Sequence, residues 1–292
     1  MTQDMLARFT DMALPATEYA IRLSAGLQLG FIPADAACIA QAWQAQAART
    51  GNATDWPDSP EDFGLRSWPR RDAFPPCPHQ LGLYAVLPDA VWVGRMARAG
   101  VPTVQLRFKS DDAQAIAREV AAAVAAVQGT PALLFINDHW QAAIQAGAYG
   151  VHLGQEDLDL LQAVDLDAIR TAGLRLGVST HGYAEMQRAD RVSPSYIALG
   201  AVFPTTLKKM ATAPQGTARL AAYARLLRKY PLVAIGGIDT ERLGPVLASG
   251  VGSIGVVRAL TEAPDPEQAA ANLQLTIQKF LTSEWKPRNP TL

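Results

Sequence analysis

The chain is short of cysteine, of net charge and of long apolar runs, and each shortage removes a class of protein. Only Cys38 and Cys77 occur in 292 residues, without metal-like spacing. They provide no disulfide framework and point to a reducing compartment. Lys and Arg number 26 against 27 Asp and Glu, a net charge of -1. A nucleic-acid binder or a ligand of acidic membranes would show a basic excess, so any anion bound here must be held by a few placed cations. No apolar stretch approaches the ~20 residues that cross a bilayer, and the N-terminus lacks a basic region followed by an apolar run. A cytoplasmic location is expected. The partners expected are small molecules, with no nucleic acid and no membrane, and nothing in the sequence opposes a homo-oligomer. No Gly-x-Gly-x-x-Gly opens the first helix after a strand, which argues against an open dinucleotide-binding sheet.

What the chain does hold is organised around residues 132–157. Leu133-Leu134-Phe135-Ile136 and Gly150-Val151-His152-Leu153 are short apolar runs, and each breaks abruptly into polar residues. An alanine-rich segment closed by Gly147 lies between them. This reads as strand, helix, parallel strand, because strands buried on both faces are continuously apolar and a crossover needs a helix. The pattern recurs. Apolar runs fall at 81–86, 103–106, 132–136, 150–153, 175–178, 196–199, 232–235 and 253–257. Helical segments are expected at 90–99, 111–128, 140–146, 158–172, 183–189, 217–229, 240–249 and 265–281. Eight such units predict an α/β fold, a (β/α)8 TIM barrel spanning 81–282. Residues 1–51 predict a helical extension, with helices at 18–29 and 34–50. Residues 52–80, rich in proline and tryptophan, read as a linker packing on the barrel through Trp56, Phe63 and Trp68. A tail follows from 283.

A barrel keeps its chemistry just after its strands, so the strand ends can be read as a site. Alternation after the second strand puts Gln105, Arg107 and Lys109 on one side, cations suited to an anion with several oxygens. Asn137-Asp138 follows the third strand, and Gln155 and Asp157 follow the fourth. Helix capping is the competing role for these residues. Two facing carboxylates beside cations favour a Mg²⁺-phosphate site instead. Ser179, Thr180 and His181 end the fifth strand. The long loop after the sixth carries Thr205, Thr206, Lys208 and Lys209, and loops of that length are usually functional. Gly236-Gly237 before a helix allows backbone N–H groups to close on a phosphate. The residues alone therefore describe a barrel enzyme with two anion sites and no obvious nucleophile-and-base pair.

These motifs resemble thiamine phosphate synthase over 81 to about 281. They are Val104-Gln-Leu-Arg-x-Lys109, Ile136-Asn-Asp138, Gly150-Val-His-Leu-Gly-Gln-Glu-Asp157, Gly177-Val-Ser-Thr-His181, Val202-Phe-Pro-Thr205 with Lys208, and Ala234-Ile-Gly-Gly-Ile238. The resemblance implies a Mg²⁺-dependent transferase. It joins 4-amino-2-methyl-5-hydroxymethylpyrimidine diphosphate to 4-methyl-5-(2-hydroxyethyl)thiazole phosphate, or its carboxylated form, and releases pyrophosphate. Gln105, Arg107, Lys109, Asn137, Ser179 and Lys208 would hold the pyrimidine diphosphate, with Leu106 and Phe108 in the same binding run. Lys208, Arg107 and Ser179 would serve the reaction, and Asp138 and Asp157 would bind the metal. Thr205, Thr206, Leu207, Gly236, Gly237, Val257 and Arg258 would surround the thiazole phosphate.

Two departures mark this chain. The family often has Thr-x-Thr-Lys in the sixth loop, where Thr205-Thr206-Leu207-Lys208 stands here. The extension around Leu27–Ala36 resembles the carboxyl end of a pyrimidine-phosphate kinase, without that enzyme's glycine-rich anion loop or catalytic aspartate. A thiazole tautomerase-like isomerase and a non-catalytic phosphate-binding barrel are the rival readings. Retention of Arg107, Lys109, Asp138, Asp157 and Lys208 together argues against both.

Overall fold

A computed structural model describes residues 18–205 and 212–283. Its residues group into two compact units. One holds the described residues up to Arg66 together with Gly182–Gln187, and the other holds Ser67–His181 and the described residues from Arg188 onward. The division at Arg66 falls inside the stretch read as a linker.

The larger unit is a closed barrel of eight parallel strands in sequence order. The strands are β1 (Gly82–Leu87), β2 (Thr103–Leu106), β3 (Leu133–Asn137), β4 (Gly150–Leu153), β5 (Arg175–Thr180), β6 (Tyr196–Leu199), β7 (Leu232–Ile235) and β8 (Ser253–Val256). β8 closes onto β1 through Gly82↔Ser253 to Ala85↔Val256. Inside the barrel, Leu81, Tyr84, Val86, Phe135, Tyr196, Ala198 and Val233 form one buried cluster. Two glycines make room for its rings. A Cβ on Gly150 would stand 2.5 Å from the Phe135 ring, and one on Gly177 would stand 2.1 Å from the Tyr196 ring. Large interior aromatics on β3 and β6 are thus matched by missing side chains on β4 and β5, as close packing demands.

The ring of helices follows the expected spacing, with three differences. The segment expected as one helix over 158–172 is two, Gln155–Leu160 and Ala163–Thr171. Leu161 turns extended between them, and the Asp165 side chain accepts from Gln162 N. The segment expected over 240–249 shortens to Leu243–Leu247, which contains Pro245, a residue with no N–H for the helix ladder. A short helix, Arg258–Thr261, follows β8 and puts Arg258 at its first position.

In the smaller unit, helices α1 (Glu18–Gln28) and α2 (Pro33–Thr50) pack as a hairpin. Gly26 lets them touch, since a Cβ there would meet Ala36 Cβ at 3.0 Å. Phe31, Trp43 and Trp56 form an aromatic cluster beside them. Phe63 stacks on Tyr183 at 4.8 Å, and Arg49 grips Asp62 with two hydrogen bonds of 3.0 and 2.6 Å. Buried Asp35 accepts from Ala184 N at 2.9 Å, in the first turn of the helix Tyr183–Val192. Trp56 and Phe63 pack within this unit. Trp68 lies in the other unit, edge-on to Tyr230. No helix of the described residues is long and apolar enough to cross a membrane.

Candidate active site

The C-terminal ends of the strands open into a cavity of about 750 Å³, a size suited to small-molecule ligands. One side of it is made of charged side chains. Gln105, Arg107 and Lys109 enter from β2 and the turn after it, Asn137 and Asp138 from β3, Asp157 from beyond β4, and Ser179 from β5. Lys109 Nζ donates to Asp138 Oδ2 at 2.6 Å. Asp138 holds φ at 65°, the left-handed region that non-glycine residues seldom occupy and that collects at functional sites. Its N–H donates to His152 O at 3.0 Å, which fixes the turn that presents the carboxylate. Burial and the Asp138 charge push the Asp157 carboxyl above its ordinary range, and Lys109 only partly opposes them. The two carboxylates are thus close enough to repel. Capping does occur at one of them, as Asp157 Oδ2 accepts from Gly154 N at 3.0 Å.

The opposite side includes a stretch of bare backbone. β7 ends in Gly236 and Gly237, with φ of 107° and 63°. A Cβ on Gly236 would stand 2.6 Å from Ala201 Cα, and one on Gly237 would stand 2.7 Å from Pro204 O. Only glycine fits both the dihedral and the space, so the pair leaves the cavity wall bare. Val257 and Arg258, at the start of the short helix after β8, complete this wall with Thr205. β3 and β7 stand four strands apart in the closed order, so the charged wall and the bare wall face each other across the mouth.

Comparison with known proteins agrees with this geometry. The family description "Thiamine monophosphate synthase" matches residues 84–260. The thiamine-phosphate synthase of Neisseria meningitidis serogroup B is 56% identical over 201 residues, covering 69% of this chain and 97% of the relative. The chain belongs to the thiamine monophosphate synthase family. The thiamine-phosphate synthase of Serratia proteamaculans is 53% identical over 205 residues, covering 70% of this chain and 95% of that protein. Among solved structures, the thiamine phosphate pyrophosphorylase of Pyrococcus furiosus superposes with a TM-score of 0.61 at 26% identity, over 69% of this chain and 97% of that one. The resemblance read from the strand-end motifs is therefore to the right family, and the family match begins after the helical extension.

Within the synthase-family barrel, the cavity brings together Gln105, Arg107, Lys109, Asn137, Asp138, Asp157, Ser179, Thr205, Gly236, Gly237, Val257 and Arg258. Leu106 and Phe108 do not line it. Strand alternation sends Leu106, which is 1% exposed, to the other face of β2, and Phe108 offers its backbone oxygen to His139 Nε2. Of the run 105–109, the alternate members Gln105, Arg107 and Lys109 line the cavity. Thr206, Leu207 and Lys208 lie outside the described residues. Among the lining residues that sequence reading missed are Tyr84, His152, Tyr196 and Arg242. The Arg242 guanidinium lies over the Phe203 ring, and Nη1 donates to Gly237 O at 2.7 Å. His181 also lines the cavity, and Gln155 donates to Ser179 O at 2.7 Å.

Proposed function

We propose that the barrel joins 4-amino-2-methyl-5-hydroxymethylpyrimidine diphosphate to 4-methyl-5-(2-hydroxyethyl)thiazole phosphate, or its carboxylated form, and releases pyrophosphate. The observation that carries the reading is the pairing of two unlike walls across one mouth, one with placed charges and one with bared backbone, because two phosphorylated substrates need two different anion sites. Arg107 and Lys109 bind the diphosphate from the charged wall. The Gly236-Gly237 amides, with those of Val257 and Arg258, bind the single phosphate from the bare wall. Between the two walls the reacting carbon and nitrogen are brought to each other.

Asp138 and Asp157 suit a magnesium ion, since hard carboxylate oxygens are what Mg²⁺ takes and two like charges gain most from a cation between them. Bound there, Mg²⁺ would neutralise charge on the diphosphate. The chain's own residues do the rest. Arg107 and Lys109 hold the oxygens on which charge grows, and Lys208 is assigned the same task from the sixth loop. The pyrimidine's amino group stabilises the methylene cation left as pyrophosphate departs, so no enzyme nucleophile is needed. The protein instead stabilises the leaving group and excludes water.

The direct test is the purified chain with both substrates and Mg²⁺, following pyrophosphate and thiamine phosphate together. One pyrophosphate per thiamine phosphate is expected. Isomerisation of a thiazole precursor without pyrophosphate would move the assignment to the tautomerase-like reading.

A further inference from the structure

Beneath the charged wall, ending on its Ser179, Gln105 and Asn137, runs a hydrogen-bond chain whose middle links, His152, Tyr196 and Tyr84, neither anion site uses. Ser179 Oγ lies 2.8 Å from His152 Nε2, and His152 Nδ1 lies 2.7 Å from Tyr196 Oη. Tyr196 Oη lies 2.6 Å from Tyr84 Oη, which donates to Gln105 Oε1 at 2.8 Å. Gln105 Nε2 then donates to Asn137 Oδ1 at 3.0 Å. The chain joins β5 to β3 through the barrel interior, taking one residue each from β4, β6, β1 and β2 on the way. Tyr84 is 2% exposed, Tyr196 1% and His152 7%, so solvent is largely kept from its middle links.

Each group in this chain has a fixed stock of protons, so the orientation of the Gln105 amide, with its oxygen toward Tyr84 and its nitrogen toward Asn137, sets the direction of every other link. Gln105 Oε1 only accepts, so it takes the single proton of Tyr84. Tyr196 must then donate to Tyr84, and its own oxygen accepts from His152 Nδ1–H. In a neutral imidazole Nε2 is then left to accept, which turns the Ser179 hydroxyl proton inward. Burial pushes both phenols above their usual range, which keeps each proton in place. The two ends therefore present opposite faces to the cavity. Ser179 offers oxygen lone pairs, while Asn137 offers amide N–H groups. A ligand meeting both ends must carry a donor on one side and an acceptor on the other, as an amidine edge (N=C–NH₂) does.

We infer that Tyr84, Tyr196 and His152 are positioning residues that fix the proton polarity of this wall, so that it selects an aminopyrimidine edge over one lacking the N–H donor. The inference rests on the proposed pyrimidine diphosphate substrate and adds the means of its recognition. None of the three residues needs to touch a reacting atom. They act through Ser179 and Asn137, and reversing any one link would set donor against donor in a buried site.

The test compares binding of 4-amino- and 4-methoxy-pyrimidine diphosphates by calorimetry, in the full chain with Mg²⁺. The methoxy compound keeps an electron-donating group but has no N–H. Wild type is expected to prefer the amino compound, and Tyr196→Phe, which keeps the ring and cuts the chain, to lose roughly 10- to 100-fold of that preference. Affinity for thiazole phosphate should stay within about twofold, which a general loosening of the barrel would not allow. Tyr84→Phe cuts the next link and gives the same readout should Tyr196→Phe fold poorly. An unchanged preference in a folded variant, or a wild-type preference for the methoxy compound, overturns the inference. Pyrophosphate release measured alongside judges the proposed reaction separately, because the binding ratio does not depend on turnover.

Discussion

The two walls of the cavity are built by opposite means. Between β2 and β4 the chain spends charged side chains, with Arg107, Lys109, Asp138 and Asp157 all reaching the mouth. Just after β7 it removes side chains at one turn, where Gly236 and Gly237 leave only backbone because any Cβ would collide. The first wall suits a ligand whose charge changes during reaction, because placed point charges answer to charge. The second suits a phosphate that is only held, because amide dipoles give fixed geometry at no cost in side-chain entropy. A substitution should therefore act by lost charge on one side and by lost space on the other.

The largest effect should come from the carboxylate pair. Asp138→Asn keeps a side chain that tolerates φ near 65° and removes the charge. It should remove nearly all turnover, with a loss of Mg²⁺ affinity exceeding the ~10–100-fold typical of an outer partner, while thiazole phosphate binds almost normally. Full wild-type activity in excess chelator would contradict this. Next comes Lys208→Ala. Losing a cation proposed to act mainly in the transition state should lower kcat by about two to three orders of magnitude, with a smaller change in thiazole-phosphate KM. Lys209→Ala is the control and should stay within a few-fold. Equal, mild effects at both positions would remove Lys208 from the mechanism.

On the bare wall, Gly237→Val tests space rather than charge. It meets Pro204 O and Phe203 with φ at 63°, and strain there costs on the order of 1–3 kcal/mol. Thiazole-phosphate KM should rise by about tenfold or more while Mg²⁺ affinity holds. A matching loss of Mg²⁺ affinity would mean the walls are not independent. The smallest effect belongs to the helical unit. Asp35→Ala strands the Ala184 N–H that it now accepts, costing about 1–3 kcal/mol of stability and appearing in thermal melts with kcat intact.

Much of this was legible in the chain because parallel strands buried on both faces write themselves as unbroken apolar runs. Thr103–Leu106, Gly150–Leu153, Tyr196–Leu199 and Leu232–Ile235 fall where the runs predict. The polar residues that end such runs then mark the mouth. What could not be read depends on three-dimensional pairing. Tyr84 and Tyr196 sit inside apolar runs and look like core, since their hydroxyl partners lie 21 and 112 residues away. Arg242 follows Asp239 at a helix start and reads as a solvated charge, yet it stacks on Phe203. The break at Leu161 was hidden because its neighbours continue a helical spacing of apolar residues. Asp138 carries no sequence mark of its left-handed backbone.

The claim that two unlike walls serve two substrates is tested most directly by a crossed binding measurement. Calorimetric affinities for the pyrimidine diphosphate with Mg²⁺ and for thiazole phosphate alone would be taken on wild type, Asp138→Asn and Gly237→Val. The account predicts that Asp138→Asn weakens only the diphosphate and Gly237→Val weakens only the thiazole phosphate. Both variants weakening the same ligand, or each weakening both equally, would contradict it.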